Sequence, residues 1–411
     1  MPFTGHVTPL SAVAAALVAR GHEVRFYTGS AFGSKVEGAG AALVPWSTAP
    51  DFDENDLPAT FPRLIGKRGF SQLMINMEDC FIATAPAQVD DLTREWDRQP
   101  WDVIVTEEMS VGAALWAERT GCRQATVAVL PLSLAGTQGP PSGIGLTPGR
   151  NVVTKARDAA LRAAVPLFSR ALRAPLARAR EGAGLAPSSK DFATTTFSPE
   201  LVIASGGPLL DFERTDRPSY LSFVGRLAAD GAAGSLPDWW GDLDDRTVVH
   251  VTQGTHNIDP ADLIRPAIDA LAERDVLVVV ATGVAGRDSL PFPVPDNVRV
   301  AGFLPYGALL PRVDVMITNG GWGGTLAALS HGIPLLIAGG DLDKPEIAAR
   351  VAWAGAGVNL KTGGPSATKV GEGFDRLMAE TSYRDAAARV GEQLNSLGGA
   401  ARAAELLESL L

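Results

Sequence analysis

The sequence predicts an α/β fold in which two doubly wound parallel sheets face one another across a cleft. With 411 residues, the chain is longer than one hydrophobic core usually supports, so two domains of about 200 residues each are expected. Short apolar runs alternate with helical segments rich in Ala, Leu and Arg in both halves. This alternation is typical of parallel sheets that carry helices on both faces.

The apolar runs that predict strands fall into two groups. They lie at residues 24–27, 103–105, 125–130 and 201–204 in the first half, and at 247–252, 276–281, 298–301, 313–318 and 334–338 in the second. Between the groups, Gly206-Gly207-Pro208 breaks the chain and a Gly-rich stretch follows at 226–240, which is typical of a linker. We therefore expect an N-terminal domain over 1–205, a linker over 206–240, a C-terminal domain over 241–390, and a final helical segment over 391–411.

Composition and charge exclude several classes of protein. The net charge is −10 and the Lys and Arg residues form no long basic run, which argues against a nucleic-acid-binding protein. The two cysteines, Cys80 and Cys122, lack CxxC spacing, so we expect no disulfide framework and no metal site. The sequence contains no apolar stretch long enough for a membrane span and no recognisable signal peptide. We expect a cytoplasmic protein that is a monomer or a homodimer.

The start of the sequence is unusual for this fold. The opening MPFTGHVTPL leaves only about four residues before the first turn, whereas a doubly wound domain opens with a strand of about five or six residues. Two explanations stay open. Either the sequence starts later than the natural chain does, which we favour, or the domain lacks its first strand.

The first motif that points to chemistry is Gly5-His6-Val7-Thr8-Pro9. Pro9 suits the first turn of a helix, which places His6 in a loop at the carboxyl edge of the sheet, where ligands of open α/β folds bind. The positive end of that helix disfavours a protonated imidazole. His6 is therefore a candidate general base, and a capping or packing histidine is the alternative.

The strongest motif is a strand followed by a turn with four glycines and then a helix. The turn, which we name the glycine turn, reads Asn319-Gly320-Gly321-Trp322-Gly323-Gly324-Thr325. Its N–H groups would lie at a helix N-terminus and form a cradle for a pyrophosphate; a tight contact between helix and sheet is the alternative. A weaker signal of the same kind is Gly254-Thr255, which follows the strand predicted at 247–252.

Three further segments bear on ligand binding. Asp343 and Lys344 follow a strand that ends in Gly339-Gly340; a carboxylate there can accept hydrogen bonds from ligand hydroxyls, and a surface pair that caps a helix is the alternative. The Gly- and Pro-rich residues 137–150 predict a mobile loop of the kind that forms lids or acceptor walls. A stripe of apolar side chains at helical spacing predicts core packing or an apolar cleft, and its members are Phe70, Leu73, Met74, Met77 and Phe81.

Taken together, these motifs resemble the family-one glycosyltransferases of the GT-B fold, and most closely the actinobacterial enzymes that decorate macrolides, polyketides and related antibiotics. The resemblance covers nearly the whole chain. Five segments follow the family's order and spacing, and they read GHVTP, RGHEVRFYTG, FVGRL, VRVAGFLPYGALLPRVDVMITNGG and DLDKPEIAARV. It implies two Rossmann-like domains and a last helix that crosses back onto the N-terminal domain.

The resemblance also implies roles for individual residues. His6 matches the family's catalytic base, and Glu107 stands where an Asp often orients that base, with Glu108 beside it. The resemblance implies a donor site in three parts. Phe303 and Leu304 would contact the nucleobase, and Asp343 and Lys344 the sugar hydroxyls. The pyrophosphate would bind at Gly254, Thr255 and residues 322–325.

The implied reaction is an inverting, metal-independent transfer of a sugar from a UDP- or dTDP-linked donor to a hydroxyl of a small apolar acceptor, such as a polyketide, macrolide, flavonoid or sterol. No cofactor is implied beyond the nucleotide-sugar donor itself. Two other functions stay open: a catalytically inactive auxiliary protein that binds the nucleotide sugar, and a sugar-nucleotide epimerase of the same fold.

Three positions depart from the family's pattern. Asn319 stands where His is usual, and Lys344 and Tyr306 each stand where Gln is usual. The Asn319 amide can still donate a hydrogen bond but carries no charge. Lys344 leads us to expect a changed donor preference, for an anionic sugar or an extra phosphate contact.

Overall fold

The computed structural model describes residues 1–228, 236–254 and 259–411. Thr255 and residues 229–235 of the predicted linker lie outside these ranges. The strands of the described residues are β1 (Arg25–Thr28), β2 (Ala42–Pro45), β3 (Val103–Thr106), β4 (Arg123–Ala128), β5 (Leu201–Ser205), β6 (Leu221–Gly225), β7 (Val248–Thr252), β8 (Leu277–Ala281), β9 (Val298–Ala301), β10 (Val315–Thr318), β11 (Leu335–Ile337) and β12 (Gly357–Asn359).

The helices alternate with these strands. They are α1 (Thr4–Ala19), α2 (Gly33–Gly38), α3 (Leu57–Thr60), α4 (Gly69–Ile75), α5 (Ala85–Arg98), α6 (Val111–Thr120), α7 (Val152–Phe168), α8 (Arg170–Gly182), α9 (Phe192–Thr196), α10 (Ile264–Leu271), α11 (Tyr306–Leu309), α12 (Trp322–Ser330), α13 (Lys344–Trp353), α14 (Ala367–Ala379), α15 (Thr381–Ser396) and α16 (Gly399–Glu408). A π-helix, Asn76–Ile82, continues α4. Short 3₁₀ helices lie at Ser30–Phe32, Pro62–Leu64, Pro208–Leu210, Asp238–Leu243 and Leu310–Arg312.

All strand pairs in the three sheets are parallel, as the sequence predicts for a doubly wound fold. The second half forms a six-stranded sheet in the order β12-β11-β10-β7-β8-β9. The first half forms a four-stranded sheet, β3-β4-β5-β6, and a separate pair, β1-β2. Because the strands of a sheet run in one direction, the loops that follow them gather along one edge.

The last helix returns to the first half of the chain, as the resemblance implies. Ala403 and Leu407 of α16 share a hydrophobic core with Val13 of α1 and with Val127 of β4. This packing buries one face of each helix against the four-stranded sheet. In the part of the chain that the structure describes, no helix combines the length and apolar character that a membrane span requires.

Three strands lack a clear signal in the sequence. β2 ends in a proline, β12 has only three residues and begins with glycine, and β6 (Leu221–Gly225) falls within the predicted linker. These strands form because a neighbouring strand supplies their hydrogen bonds; β6, for example, pairs with β5. β6 extends the first sheet into residues 206–240, and the domain boundaries themselves stay a prediction.

The two halves of the chain are joined by a buried ionic cluster around Arg350 of α13, which we name the Arg350 clamp. Its guanidinium donates to Asp211 at 2.7 Å and to the carbonyl of Leu132 at 2.8 Å. Leu132 belongs to the first half of the chain, and Asp211 to the segment that follows it. The guanidinium also donates to Glu346 of its own helix at 3.0 Å. Arg350 is 1% exposed, so water does not compete for these contacts.

Replacing Arg350 with Met is expected to lower the free energy of unfolding by about 3–5 kcal/mol, because the buried Glu346 would lose its cation and the buried Asp211 would be left with Arg214 at 3.1 Å. Urea denaturation followed by circular dichroism measures the change. Arg98→Met is the matched control, since its side chain is 74% exposed in an ion pair with Glu95 and such pairs contribute little. Equal midpoints for the two variants would contradict a structural role for the clamp.

Candidate active site

His6 lies in the first turn of α1, and the expectation that it would lie in a loop before Pro9 was wrong. The helix begins at Thr4, before His6, because Phe3 has extended backbone angles and its carbonyl accepts the N–H groups of His6 and Val7 at 2.9 Å each. Pro9 is therefore inside the helix. The His6 residue is 9% exposed, and its Nδ1 lies 3.2 Å from Oε2 of Glu107.

Glu107 follows β3 directly and is held from several sides. Its carboxylate accepts hydrogen bonds from the N–H of Met109 at 2.7 Å and from the hydroxyl of Ser110 at 3.1 Å. The amino group of Met1 lies 3.4 Å away. Burial opposes ionisation of this carboxyl, but the charges of His6 and of the Met1 amino group, with these hydrogen bonds, hold the pKa of Glu107 below its usual value. A fixed carboxylate thus orients the His6 ring.

Glu108 has a different role from its neighbour. Its two carboxyl oxygens accept the N–H groups of Val129 at 2.9 Å and Leu130 at 2.7 Å, in the segment after β4. Burial and the charge of Glu107 raise the pKa of Glu108. Glu107 is therefore the residue that contacts His6, whereas Glu108 holds the loop that follows β4 in place.

The glycine turn joins β10 to α12 in the second half. Gly321 precedes the first helical residue, Trp322, so the N–H groups of the first turn have no acceptor within the helix. A Cβ atom added to Gly321 or Gly323 would meet no atom within 4 Å. Open space thus faces the positive end of a helix, an arrangement that suits an anion.

Gly254 lies beside the glycine turn, because β7 and β10 are neighbours in the sheet. Its φ of 73° is in the left-handed region, and an added Cβ would lie 3.7 Å from the Asn319 side chain. Asn319 donates through Nδ2 to the carbonyl of Gln253. Within the described residues, Oδ1 of Asn319 and the hydroxyl of Thr325 are buried without a hydrogen-bond partner. The position of Thr255, the second residue of this weaker motif, lies outside the described residues.

The indole of Trp322 does not face the open space at the turn. Its Nε1 donates to the hydroxyl of Ser205 at 2.9 Å, across the two halves of the chain. The ring also packs so closely on Gly206 that an added Cβ there would lie 2.8 Å from it. The Trp322 side chain therefore joins the two sheets, and only its backbone remains available to a ligand.

Asp343 and Lys344 begin α13, close to the glycine turn. Nζ of Lys344 donates to Asp341 at 2.7 Å, and Leu342 between them has a left-handed φ of 52°. Burial raises the pKa of Asp343, while the charges of Lys344 and His6 act in the opposite direction. His6 thus lies within electrostatic reach of Asp343.

Residues 137–150, predicted to form an acceptor wall, lie against the start of α13. The N–H groups of Gly143 and Gly145 donate to the carboxylate of Glu346 at 3.1 Å and 3.2 Å. Glu346 also pairs with Arg350, so the loop is connected to the Arg350 clamp. The i,i+4 spacing of Glu346 and Arg350 is enough to predict an ion pair on a helix. The burial of the two side chains and their contacts with the first half cannot be predicted from the neighbouring sequence.

The two residues implied for the nucleobase differ in what they offer. Phe303, which follows β9, is 59% exposed, whereas Leu304 is 9% exposed and belongs to the core. Tyr306 hydrogen-bonds through its hydroxyl to Nε2 of the buried His250 at 3.1 Å. Burial lowers the pKa of His250 to about 4, so this histidine is a neutral structural residue. Only the Phe303 ring of this segment is free to stack on a base.

The chain is similar in sequence to known proteins along its whole length. Residues 265–410 match a family described as Erythromycin biosynthesis protein CIII-like, C-terminal domain. The 4'-demethylrebeccamycin synthase of Lentzea aerocolonigenes is 38% identical to the chain over 414 aligned residues, which cover 100% of the chain and 98% of that protein.

Solved structures share the fold. The glycosyltransferase of kitacinnamycin has a TM-score of 0.75 and 20% identity, over 99% of the chain and 96% of that structure. A spinosyn rhamnosyltransferase complexed with thymidine diphosphate has a TM-score of 0.71 and 19% identity, over 99% of the chain and 98% of that structure. At these identities the likeness shows the GT-B fold alone.

Gly323→Ala is expected to weaken the binding of thymidine diphosphate or UDP about tenfold without lowering the unfolding midpoint. The added methyl group enters the open space before α12, where helical Cβ atoms tilt toward the N-terminus, and alanine itself suits a helix. Isothermal titration and thermal unfolding measure the two effects. Gly241→Ala is the control, because its Cβ also meets no atom within 4 Å. Unchanged affinity in Gly323→Ala would argue against a diphosphate at the glycine turn.

Proposed function

Because this chain belongs to the natural-product glycosyltransferases of the GT-B fold, we propose that it transfers a sugar from a nucleoside diphosphate to a hydroxyl of a small apolar acceptor by one inverting displacement. One observation carries this proposal. An imidazole 3.2 Å from a buried carboxylate lies within electrostatic reach of Asp343, which directly precedes α13 near the open N-terminus of α12.

His6 is the base in this reaction. Its Nδ1 is 3.2 Å from Glu107, which leaves Nε2 to accept the proton of the acceptor hydroxyl. The acceptor oxygen forms a bond to the anomeric carbon while the bond from that carbon to the β-phosphate oxygen breaks on the opposite face. The configuration at the anomeric carbon is therefore inverted. The Glu107 carboxylate stabilises the imidazolium until the proton passes to solvent.

The glycine turn receives the leaving diphosphate. The N–H groups of Trp322, Gly323 and Gly324 are in the first turn of α12, where the partial positive charge of the helix is concentrated. The buried Thr325 hydroxyl adds a hydrogen-bond donor next to them. These groups stabilise the charge that develops on the leaving oxygen, so the reaction needs no metal ion.

The remaining donor contacts follow from the positions around the turn. Asp343 accepts hydrogen bonds from the sugar hydroxyls, and Lys344 fixes the loop through Asp341. Phe303 stacks on the nucleobase with its exposed ring. The donor is a UDP- or dTDP-linked sugar; the thymidine diphosphate complex of the structural neighbour supports this class.

An apolar acceptor is supported by the side chains of α4. Phe70 on this helix is 70% exposed, while Phe81, further along the same predicted stripe, packs in a core. The charge of Arg68, just before α4, acts on Asp262, so the start of α4 lies near the second half of the chain. The acceptor is a polyketide, macrolide, flavonoid or sterol-like alcohol.

The proposal is tested by incubating the chain with α-linked UDP- and dTDP-sugars and a library of such alcohols. Mass spectrometry detects a glycoside, and NMR coupling constants give the configuration of the new bond. A β-glycoside is the expected product. Retention of configuration would contradict single displacement, and a donor altered without any acceptor would favour an epimerase.

His6→Ala is expected to lower kcat by about 10²- to 10⁴-fold, because the acceptor proton loses its base. The affinity for thymidine diphosphate is expected to stay unchanged, since the diphosphate site is formed by the other half of the chain. His331→Ala, at an exposed histidine after α12, is the control for kcat. Full activity of His6→Ala would remove the proposed base.

Sugar transfer is expected to continue at the same rate, within about twofold, in EDTA and in added Mg²⁺ or Mn²⁺. The reason is that backbone N–H groups at the start of α12 meet the charge of the leaving group. Initial rates with and without chelator measure this. A large loss of rate in EDTA that Mg²⁺ restores would contradict metal independence.

A further inference from the structure

Helix α7 contacts the rest of the protein along one side. Asp158 is buried, and the other members of this 17-residue helix are partly or fully exposed. Asp158 accepts the N–H of Gly149 at 2.7 Å, and Arg162 donates to the carbonyl of Gly139. Both partners belong to residues 137–150, the predicted acceptor wall. This loop therefore lies under α7, on the side that carries Asp158.

The opposite side of α7 is apolar along the length of the helix. Residues three or four positions apart share one side of a helix, and the exposed series that faces away from Asp158 contains only Val, Ala and Leu. Its members, which we name the α7 face, are Val152, Val153, Ala156, Ala159, Ala160, Ala163 and Leu167. Val152 is 84% exposed, Val153 78% and Leu167 68%. At 1.5 Å per residue the α7 face extends over about 22 Å.

Helices α7 and α8 are strongly basic in an otherwise acidic chain. Residues 150–182 contain eight Arg and Lys residues and two acidic residues, whereas the whole chain has a net charge of −10. One of the two acidic residues, Asp158, is buried in an ion pair with Arg157. The exposed side chains of Lys155, Arg170 and Arg173 form no ion pair within the described residues. Free positive charge therefore surrounds the α7 face.

The exposed side of α8 continues that of α7. Ser169, between the two helices, has right-handed helical backbone angles, φ −77° and ψ −4°, so the helical spacing passes through it. Leu176, buried in a core on the inner side of α8, follows Asp158 by 18 positions, which is about five helical turns. The inner sides of the two helices are therefore aligned, and the exposed Arg170 and Arg173 of α8 adjoin the outer side that carries the α7 face.

The chemistry of this surface matches an anionic lipid bilayer. An apolar helix face bordered by cations is typical of helices that lie in the plane of a membrane interface, where Lys and Arg contact anionic head groups. A protein interface has about one hydrogen bond per 100–200 Å², and the α7 face offers no side chain that forms one. A second copy packed face to face would bring the cations of both copies together, which like charge disfavours.

We propose that the α7 face and the cations beside it bind the surface of an anionic bilayer, with α7 parallel to the membrane plane. Val152, Val153 and Leu167 enter the boundary between head groups and acyl chains. Lys155, Arg170 and Arg173 contact the lipid phosphates. Because α7 lies on residues 137–150, this orientation places the predicted acceptor wall next to the bilayer.

Sedimentation with lipid vesicles measures this binding directly. The probe vesicles contain equal parts of phosphatidylglycerol and phosphatidylcholine, and the reference vesicles contain phosphatidylcholine alone. The chain is expected to bind the anionic vesicles at least about tenfold more tightly than the neutral ones. Added salt is expected to weaken this binding, because it screens the charges of Lys155, Arg170 and Arg173.

Replacing both Val152 and Val153 with Asp tests the apolar part of the surface. The affinity for anionic vesicles is expected to fall at least about tenfold, because carboxylates do not enter the acyl boundary. Acidic residues suit the first turn of a helix, so α7 stays folded, and circular dichroism checks this. The matched control is Leu209→Asp with Met378→Asp, which adds the same charge at apolar residues that are 44% and 42% exposed elsewhere. The control is expected to bind within about twofold of the parent chain.

Replacing both Arg170 and Arg173 with Gln tests the cationic part. The affinity for anionic vesicles is expected to fall about tenfold. Arg98→Gln with Arg402→Gln is the control, because it removes the same charge at side chains that are 74% and 51% exposed on other helices. This control is expected to bind within about twofold of the parent chain.

Amide hydrogen exchange read by mass spectrometry identifies the surface that meets the bilayer. Anionic vesicles are expected to slow exchange in α7 and to leave α14, in the other half of the chain, unchanged. Neither exchange nor sedimentation depends on sugar transfer, so these experiments separate the membrane surface from the proposed function.

Several results would overturn the proposal. The chain could fail to bind anionic vesicles, or bind neutral ones equally well. The Val152 and Val153 double variant could bind as tightly as the parent, or the vesicles could protect α14 instead of α7. A dimer that this double variant dissociates, without any binding to vesicles, would identify the α7 face as an interface between two copies of the chain.

Discussion

The direction of the strands is the constraint on which the site depends. Every pair in the sheets is parallel, so the functional residues follow carboxyl ends: Glu107 after β3, Gly254 after β7 and the glycine turn after β10. The Arg350 clamp and the Trp322–Ser205 hydrogen bond join the two halves. Segments more than 100 positions apart in the chain are therefore in contact.

The two halves of the chain supply different groups to the proposed reaction. The first half supplies a carboxylate that is ionised despite burial, because His6 and nearby N–H groups stabilise it. The second half supplies backbone N–H groups at the start of α12, with space before them. A proton acceptor on one side and an anion site on the other are what displacement of a diphosphate by a hydroxyl requires. Because Arg350 is buried, the ionic contacts that join the two halves do not depend on exposed ion pairs.

Local patterns predicted the fold and the glycine turn, because apolar runs and clustered glycines act through neighbouring residues. The start of α1 was mispredicted, since Pro9 suggested a helix start while Phe3 provides it. The side chain of Trp322 and the partners of Arg350 could not be derived from sequence, because Ser205, Asp211 and Leu132 reach them only through the packing of the two halves. The resemblance implied that Leu304 contacts the nucleobase, but its apolar side chain packs in the core. The neighbouring residues in the sequence do not indicate this packing.

A structure of the chain with thymidine diphosphate or UDP and an acceptor alcohol bound would test the central claim most directly. We predict that the β-phosphate accepts hydrogen bonds from the N–H groups of Gly323 and Gly324. The acceptor hydroxyl is predicted to lie within hydrogen-bonding distance, about 2.6–3.2 Å, of Nε2 of His6. A diphosphate bound away from the glycine turn, or an acceptor hydroxyl that His6 cannot reach, would contradict the account.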